Sequence, residues 1–164
     1  MKKRFLLFVF CVFVIFSHLQ AQIDYASLKT EKKEDFTEEV NKAALQAATA
    51  VLSLPLEKDN AKRVEAFTFL MRWMTASPHF NFDIDEIAMK VTRGNDDLLA
   101  VYLAAMTRYV LENRDMAGDK KAVKLNTVKS VLAYCQSQQV KLTGELKKMN
   151  KANESGELER YLKL

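Results

Sequence analysis

Cysteine, histidine, glycine and proline are all scarce in this chain of 164 residues, which holds two, two, four and two of them. That shortage excludes collagen-like, low-complexity and disulfide-scaffold classes. A zinc centre draws on several Cys and His ligands, so two residues of each type, one of each near the start, make that chemistry a poor fit. Glycosidase-like carboxylate chemistry stays formally open. What the chain does have is 49% hydrophobic and 28% charged residues. This is the make-up of an ordinary globular domain, for which about 100–200 residues is usual.

The start of the chain reads as a signal peptide, Met1 to Ala21. Lys2, Lys3 and Arg4 precede an unbroken apolar run from Phe5 to Phe16, and Ser17-His18-Leu19-Gln20-Ala21 closes on a small residue before Gln22. A transmembrane span needs about 20 apolar residues, so the run is too short for one. The expected destination is export, to the periplasm or beyond. Removal of this leader takes Cys11 and His18 with it and leaves Cys135 and His79. No intrachain disulfide is then possible, even in a compartment that permits one.

The leader also carries three basic residues, so 22 Lys and Arg face 21 Asp and Glu in the rest. The balance is uneven: residues 22–56 and 57–116 each carry net −2, and residues 117–164 carry net +5. Nucleic acid is not expected as a partner, because export removes the chain from it and no aromatics interleave the basic residues. Contact with an anionic membrane surface or an acidic protein is open. A solvated helix face is the stronger reading of Lys120, Lys121, Lys124, Lys129, Lys141, Lys147, Lys148 and Lys151.

Residues 22–34 are polar, with Tyr25 and Leu28 among few large apolar side chains, and read as a flexible lead-in to one all-α domain over 35–164. Asp35, with Glu38 three residues later, predicts a capping box and a helix over about 36–53, ended by Pro55. Its alanines at helical spacing imply a close neighbour. Asp59 or Asn60 opens the next helix. Val64, Phe67, Met71 and Met74 beside Ala66, Leu70 and Trp73 give it a wide apolar arc, which suggests a central position.

Pro78 ends that helix near Ala76. His79 to Ile84 alternates like a strand but has no partner strand, so an extended connector is expected. Ile84, Ile87, Ala88 and Val91 suit a short helix closed by Gly94, and Asn95 caps the next. Leu98 through Leu111 is apolar on nearly every side, the pattern of a buried central helix. Residues 120–138 place Val128, Val131, Leu132 and Cys135 on one face. Leu142 to Met149 follows as a helix, Asn150 to Gly156 as a loop, and Leu158, Tyr161, Leu162 and Leu164 as a docking tail helix. The sum is an antiparallel bundle or short helical stack of five to six helices. A tetratricopeptide repeat does not fit, since Met74-Thr75-Ala76-Ser77 follows Trp73 where that pattern needs Leu-Gly.

Two internal stretches and the tail carry a resemblance. Phe69-Leu70-Met71-Arg72-Trp73-Met74 with Ser77-Pro78, then Tyr102 through Met106 with Arg108, Tyr109, Leu111, Glu112 and Asn113, then Gly156, Leu158, Glu159 and Tyr161 resemble a family of small, signal-peptide-bearing, all-helical exported bacterial proteins of unassigned function. The resemblance implies export and an all-helical fold. It implies no catalytic residue, cofactor or metal ligand.

Each chemical reading of the residues has a plainer competitor. Ser77 and His79 lack a third triad member and a Gly-x-Ser-x-Gly elbow. Asn81, Asp83 and Asp85 begin like a calcium loop, but Glu86 and Thr92 stand where Gly and Glu are needed. Asp83, Asp85, Glu86, Asp96 and Asp97 suit helix N-termini as well as a carboxylate cluster. Cys135 reads as a buried thiol, with an intermolecular disulfide as the alternative. Trp73, Met74, Phe80, Phe82, Tyr102 and Tyr109 are the candidate ligand or partner surface, with core packing as the plainer reading of Met and aromatics at helical spacing. The leading expectation is a non-catalytic exported helical domain for protein interaction or envelope structure, with no cofactor. A carrier of a small apolar ligand between helices and a carboxylate-based enzyme are the alternatives.

Overall fold

The computed structural model describes residues 23–57 and 60–164. The signal-peptide reading of Met1 to Ala21 lies outside these residues, as does Asp59. Among the described residues there is no strand; seven α-helices pack on one another as a helical stack. They are α1 (Glu38–Ser53), α2 (Ala61–Ala76), α3 (Glu86–Thr92), α4 (Leu98–Glu112), α5 (Lys120–Ser137), α6 (Gly144–Glu154) and α7 (Leu158–Leu162).

Helix α4 is the middle of the stack, as its sequence suggests. It packs against α1, α2, α3 and α5, and Leu98, Val101, Tyr102, Leu103, Met106, Val110 and Leu111 are all buried. The wide apolar arc of α2 does not make that helix central. Ala66, Phe69, Leu70, Trp73 and Met74 are buried against α1 and α4, whereas Val64 is 52% and Met71 37% exposed. With α4 already filling the centre, one face of α2 is enough for the contact.

Helix ends depart from expectation where a polar side chain has a competing partner. Asp35 does not cap α1: its Oδ2 accepts the Glu31 and Lys32 N–H groups at 2.9 Å within a preceding turn. Thr37 takes the cap instead, its Oγ1 accepting from Val40 N–H at 3.3 Å. Asn60 caps α2 as expected, through Arg63 N–H at 3.1 Å. Asp85 caps α3, so its neighbour Ile84, on the opposite side of an extended chain, turns out to solvent. Asn95 Oδ1 accepts from Asp97 N–H in the turn that leads into α4. Helix α6 runs on through the expected loop to Glu154, because Gly156, at φ 74°, supplies the left-handed stop.

Residues 23–34, expected as a flexible lead-in, form a strap along α1 and α2. Tyr25 stacks on Phe69 with ring centroids 5.0 Å apart. Arg72 lies over the same ring at 5.5 Å and donates through Nη2 to the Tyr25 and Leu28 carbonyls, each at 2.8 Å. Thr30 and Phe36 are buried where the strap turns into α1.

Candidate functional site

The aromatic candidates assemble as core. Trp73 is fully buried, donates Nε1–H to Asn41 Oδ1 at 3.2 Å, and meets Phe80 and Phe82 with centroids 5.7 Å away in each case. The alternation of residues 79–84 is thereby explained: an extended connector sends Phe80 and Phe82 to one side, onto Trp73. Met74 is buried beside them on α2. Tyr102 is fully buried on α4, and burial, reinforced by the Asp85 charge, pushes its phenol well above the usual range. Tyr109 is half-buried, and its carbonyl accepts from Asn113 at the end of α4. None of the six lines either of the two cavities described below.

The carboxylate candidates are dispersed into caps and ion pairs. Asp85 accepts from Ile87 and Ala88 N–H at 2.9 and 3.1 Å and pairs with Lys124 at 2.5 Å. Partial burial raises its pKa, but Lys124 and the two N–H groups outweigh that and hold it below the ordinary value. Asp83 meets Lys120 at 3.5 Å and Glu86 meets Lys90 at 2.8 Å. Asp96 and Asp97 are exposed at the start of α4. Among the described residues no three His, Cys, Asp or Glu side chains converge as a metal site. Ser77 Oγ is buried without a hydrogen-bond partner, so it is not joined to His79. Cys135 is buried, and burial pushes its thiol up to about 11, which disfavours the reactive thiolate.

Half of the eight tail lysines named above have a carboxylate partner within the chain. Lys120, Lys124 and Lys148 pair with Asp83, Asp85 and Glu145, and Lys121 pairs with Glu159. Two of these pairs, Lys120–Asp83 and Lys124–Asp85, bridge α5 to the chain between α2 and α3.

The largest cavity described is one that sequence reasoning missed. A groove of about 900 Å³ runs along α1 from Glu39 to Leu54, walled by the start of α2 and the strap. Ile23, Tyr25, Leu28, Ala43, Ala50 and Ala66 give it apolar sides, and Glu39, Lys42, Lys62 and Glu65 place both signs of charge on its rim. Its α1 wall mixes the small side chains of Ala43, Thr49, Ala50 and Ser53 with the long polar ones of Glu39, Lys42 and Gln46. Alanines at Ala43, Ala44, Ala47 and Ala48 bring α1 tightly against its neighbours, but at Ala43 and Ala50 nothing large fills the outer seam. The far end is fixed by Tyr134 of α5, whose hydroxyl donates to the Leu54 carbonyl at 2.8 Å. Tyr25 and Leu28, large apolar residues in a polar stretch, were the available signal for the strap.

Comparison with protein-family models, curated proteins and solved structures finds no match to this chain.

Proposed function

We propose that this chain is an exported, non-catalytic binding domain whose α1–α2 groove docks a segment of another polypeptide. The groove's shape carries the reading. Its α1 lining runs from Glu39 to Ser53, a stretch of 15 helical positions that rise about 1.5 Å each, or roughly 20 Å in all. An extended segment of about six residues covers that distance at roughly 3.3 Å per residue. Apolar sides with a rim of both charge signs suit a peptide, which presents an apolar side chain, a polar backbone and charged groups together. A compact apolar ligand would leave Glu39, Lys42, Lys62 and Glu65 facing it unused.

Export enters the proposal from the leader-like residues Met1 to Ala21. Among the described residues no helix is long and apolar enough to cross a membrane.

The test is photo-crosslinking in the native envelope with a reactive residue at Gln46, inside the groove, or at Lys129, on the exposed face of α5. The proposal expects one discrete polypeptide adduct from position 46 and none of that mass from position 129. Equal adducts from both positions, or none from 46, would overturn it.

A further inference from the structure

The smaller of the two cavities, about 230 Å³ where α3, α6 and α7 meet, sets Lys90 and Lys163 against Glu145 and the Glu86 that Lys90 already binds. It shows no excess of either charge. The larger cavity, the groove, differs in having the strap as one of its walls, and that strap rests on a surface of its own. Residues 24–27 form a turn in which Asp24 Oδ1 accepts from Ala26 N–H at 3.1 Å and the Asp24 carbonyl accepts from Ser27 Oγ at 2.9 Å. From this turn Tyr25 lays its ring on Phe69, with planes 24° from parallel. Arg72, three residues on along α2, covers the same Phe69 ring and donates to the Tyr25 and Leu28 carbonyls. Phe69 and Arg72 therefore form a platform that receives one aromatic ring and two backbone carbonyls.

What the platform reads is general. Every polypeptide backbone offers carbonyls, and Tyr25 gives Phe69 only a stacked ring. Among the described residues Arg72 has no carboxylate within 4 Å. Its guanidinium is held on Phe69 by neutral groups alone.

The strap is lightly seated on this platform. None of residues 23–29 is buried: Ile23, Tyr25 and Leu28 are half-buried, and Asp24, Ala26, Ser27 and Lys29 are exposed. Burial begins at Thr30, and beyond it Asp35 pins the chain by accepting from the Glu31 and Lys32 N–H groups. Segments with few buried contacts open at the lowest free-energy cost. The hinge is thus at Lys29 and Thr30, and lifting residues 23–28 uncovers Phe69 and frees Arg72. The same movement widens the groove, because Ile23, Tyr25 and Leu28 form its strap-side wall.

We propose that the strap shields a recognition platform, and that the docked partner segment displaces residues 23–28 to set an aromatic side chain on Phe69 and its backbone carbonyls on Arg72. This rests on the reading of the groove as a peptide site and adds the chemistry its occupant must carry. A tethered strap competes at an effective concentration on the order of millimolar. The partner overcomes that advantage by filling the groove as well, which the strap leaves open.

The test is titration of the full chain with a synthetic peptide of the strap sequence, Ile23 to Thr30, followed by amide shifts. The parent, its platform covered, should bind the peptide weakly. Tyr25→Ala loosens the strap and leaves the platform intact, so binding should tighten about tenfold, with saturable shifts at Phe69 and Arg72. That factor is the upper worth of an aromatic pair in holding the strap closed. Arg72→Gln also loosens the strap but removes the clamp, so it should show no gain over the parent. A peptide with alanine in place of its tyrosine should bind the Tyr25→Ala chain about tenfold more weakly than the intact peptide. No saturable binding to Tyr25→Ala, or an equal gain in Arg72→Gln, would overturn the platform. Crosslinking from position 46 separates the two proposals. A polypeptide adduct there without peptide binding to Tyr25→Ala upholds the groove and overturns the platform; peptide binding without an adduct upholds the platform and overturns the docking of a partner in the envelope.

Discussion

Two seams of this molecule have opposite outcomes. Where α4 meets α5, side chains such as Leu103, Met106, Val110, Val128, Val131 and Leu132 are buried and neither described cavity opens between the two helices. Where α1 meets α2, the α1 side is mostly alanine, and the outer edge opens into a groove of about 900 Å³. Large buried side chains accompany the closed seam, and buried alanines accompany the open one. The strap then covers part of the open seam, through Tyr25, Leu28 and the Arg72 contacts.

The largest effect should come from the closed side of the comparison. Trp73→Ala removes a fully buried ring, its bond to Asn41 and its contacts with Phe80 and Phe82. A loss of about 3–5 kcal/mol is expected, read by urea unfolding followed by circular dichroism. A loss below about 1 kcal/mol would mean the aromatic cluster is not core packing.

Asp85→Ala comes next. It deletes the cap of α3 and the partner of Lys124, and cap removal costs about 0.5–2 kcal/mol. The sign with pH follows from the lowered pKa of Asp85 in the folded chain. Its contribution is fully present above the unfolded carboxylate value of about 4 and fades as pH falls through the lower folded value. The variant and the parent should therefore converge in acid. A deficit that stayed constant down to pH 2 would show that the charge is irrelevant there.

The fold was legible in the sequence wherever a helix carried its own signal. The all-round apolar α4, the Asn60 cap, the Gly94 turn and the buried face of α5 follow from local spacing and side-chain chemistry. What escaped depended on competition between distant groups. Asp35 looks like a cap until its carboxylate is claimed by Glu31 and Lys32 N–H groups. The polar stretch at 23–34 looks free until Arg72, more than 40 residues away, takes two of its carbonyls. The groove had no motif to announce it, because it is formed where the strap, α1 and the start of α2, separate in sequence, come together. Trp73, Phe80 and Phe82 meet as packing around an indole.

Loosening the strap should cost less than opening the core. Arg72→Gln removes two hydrogen bonds and the charge over Phe69, for about 1–2 kcal/mol on a typical scale of roughly 1 per bond. Limited proteolysis should then cut within residues 24–30 faster while α4 stays protected. Equal protection of the strap in variant and parent would show that Arg72 does not hold it. The smallest effect belongs to the open seam itself. Ala50→Trp projects a ring into space already present beside α1, so stability should move by no more than about 0.5 kcal/mol.

That variant also gives the most direct measurement. Native mass spectrometry of the chain, purified gently from its own envelope fraction, is compared with the same preparation of Ala50→Trp. The account predicts a retained polypeptide on the parent chain that is absent from the folded variant. The same polypeptide on both, or a retained mass of small-molecule size in its place, would contradict the groove as a peptide site.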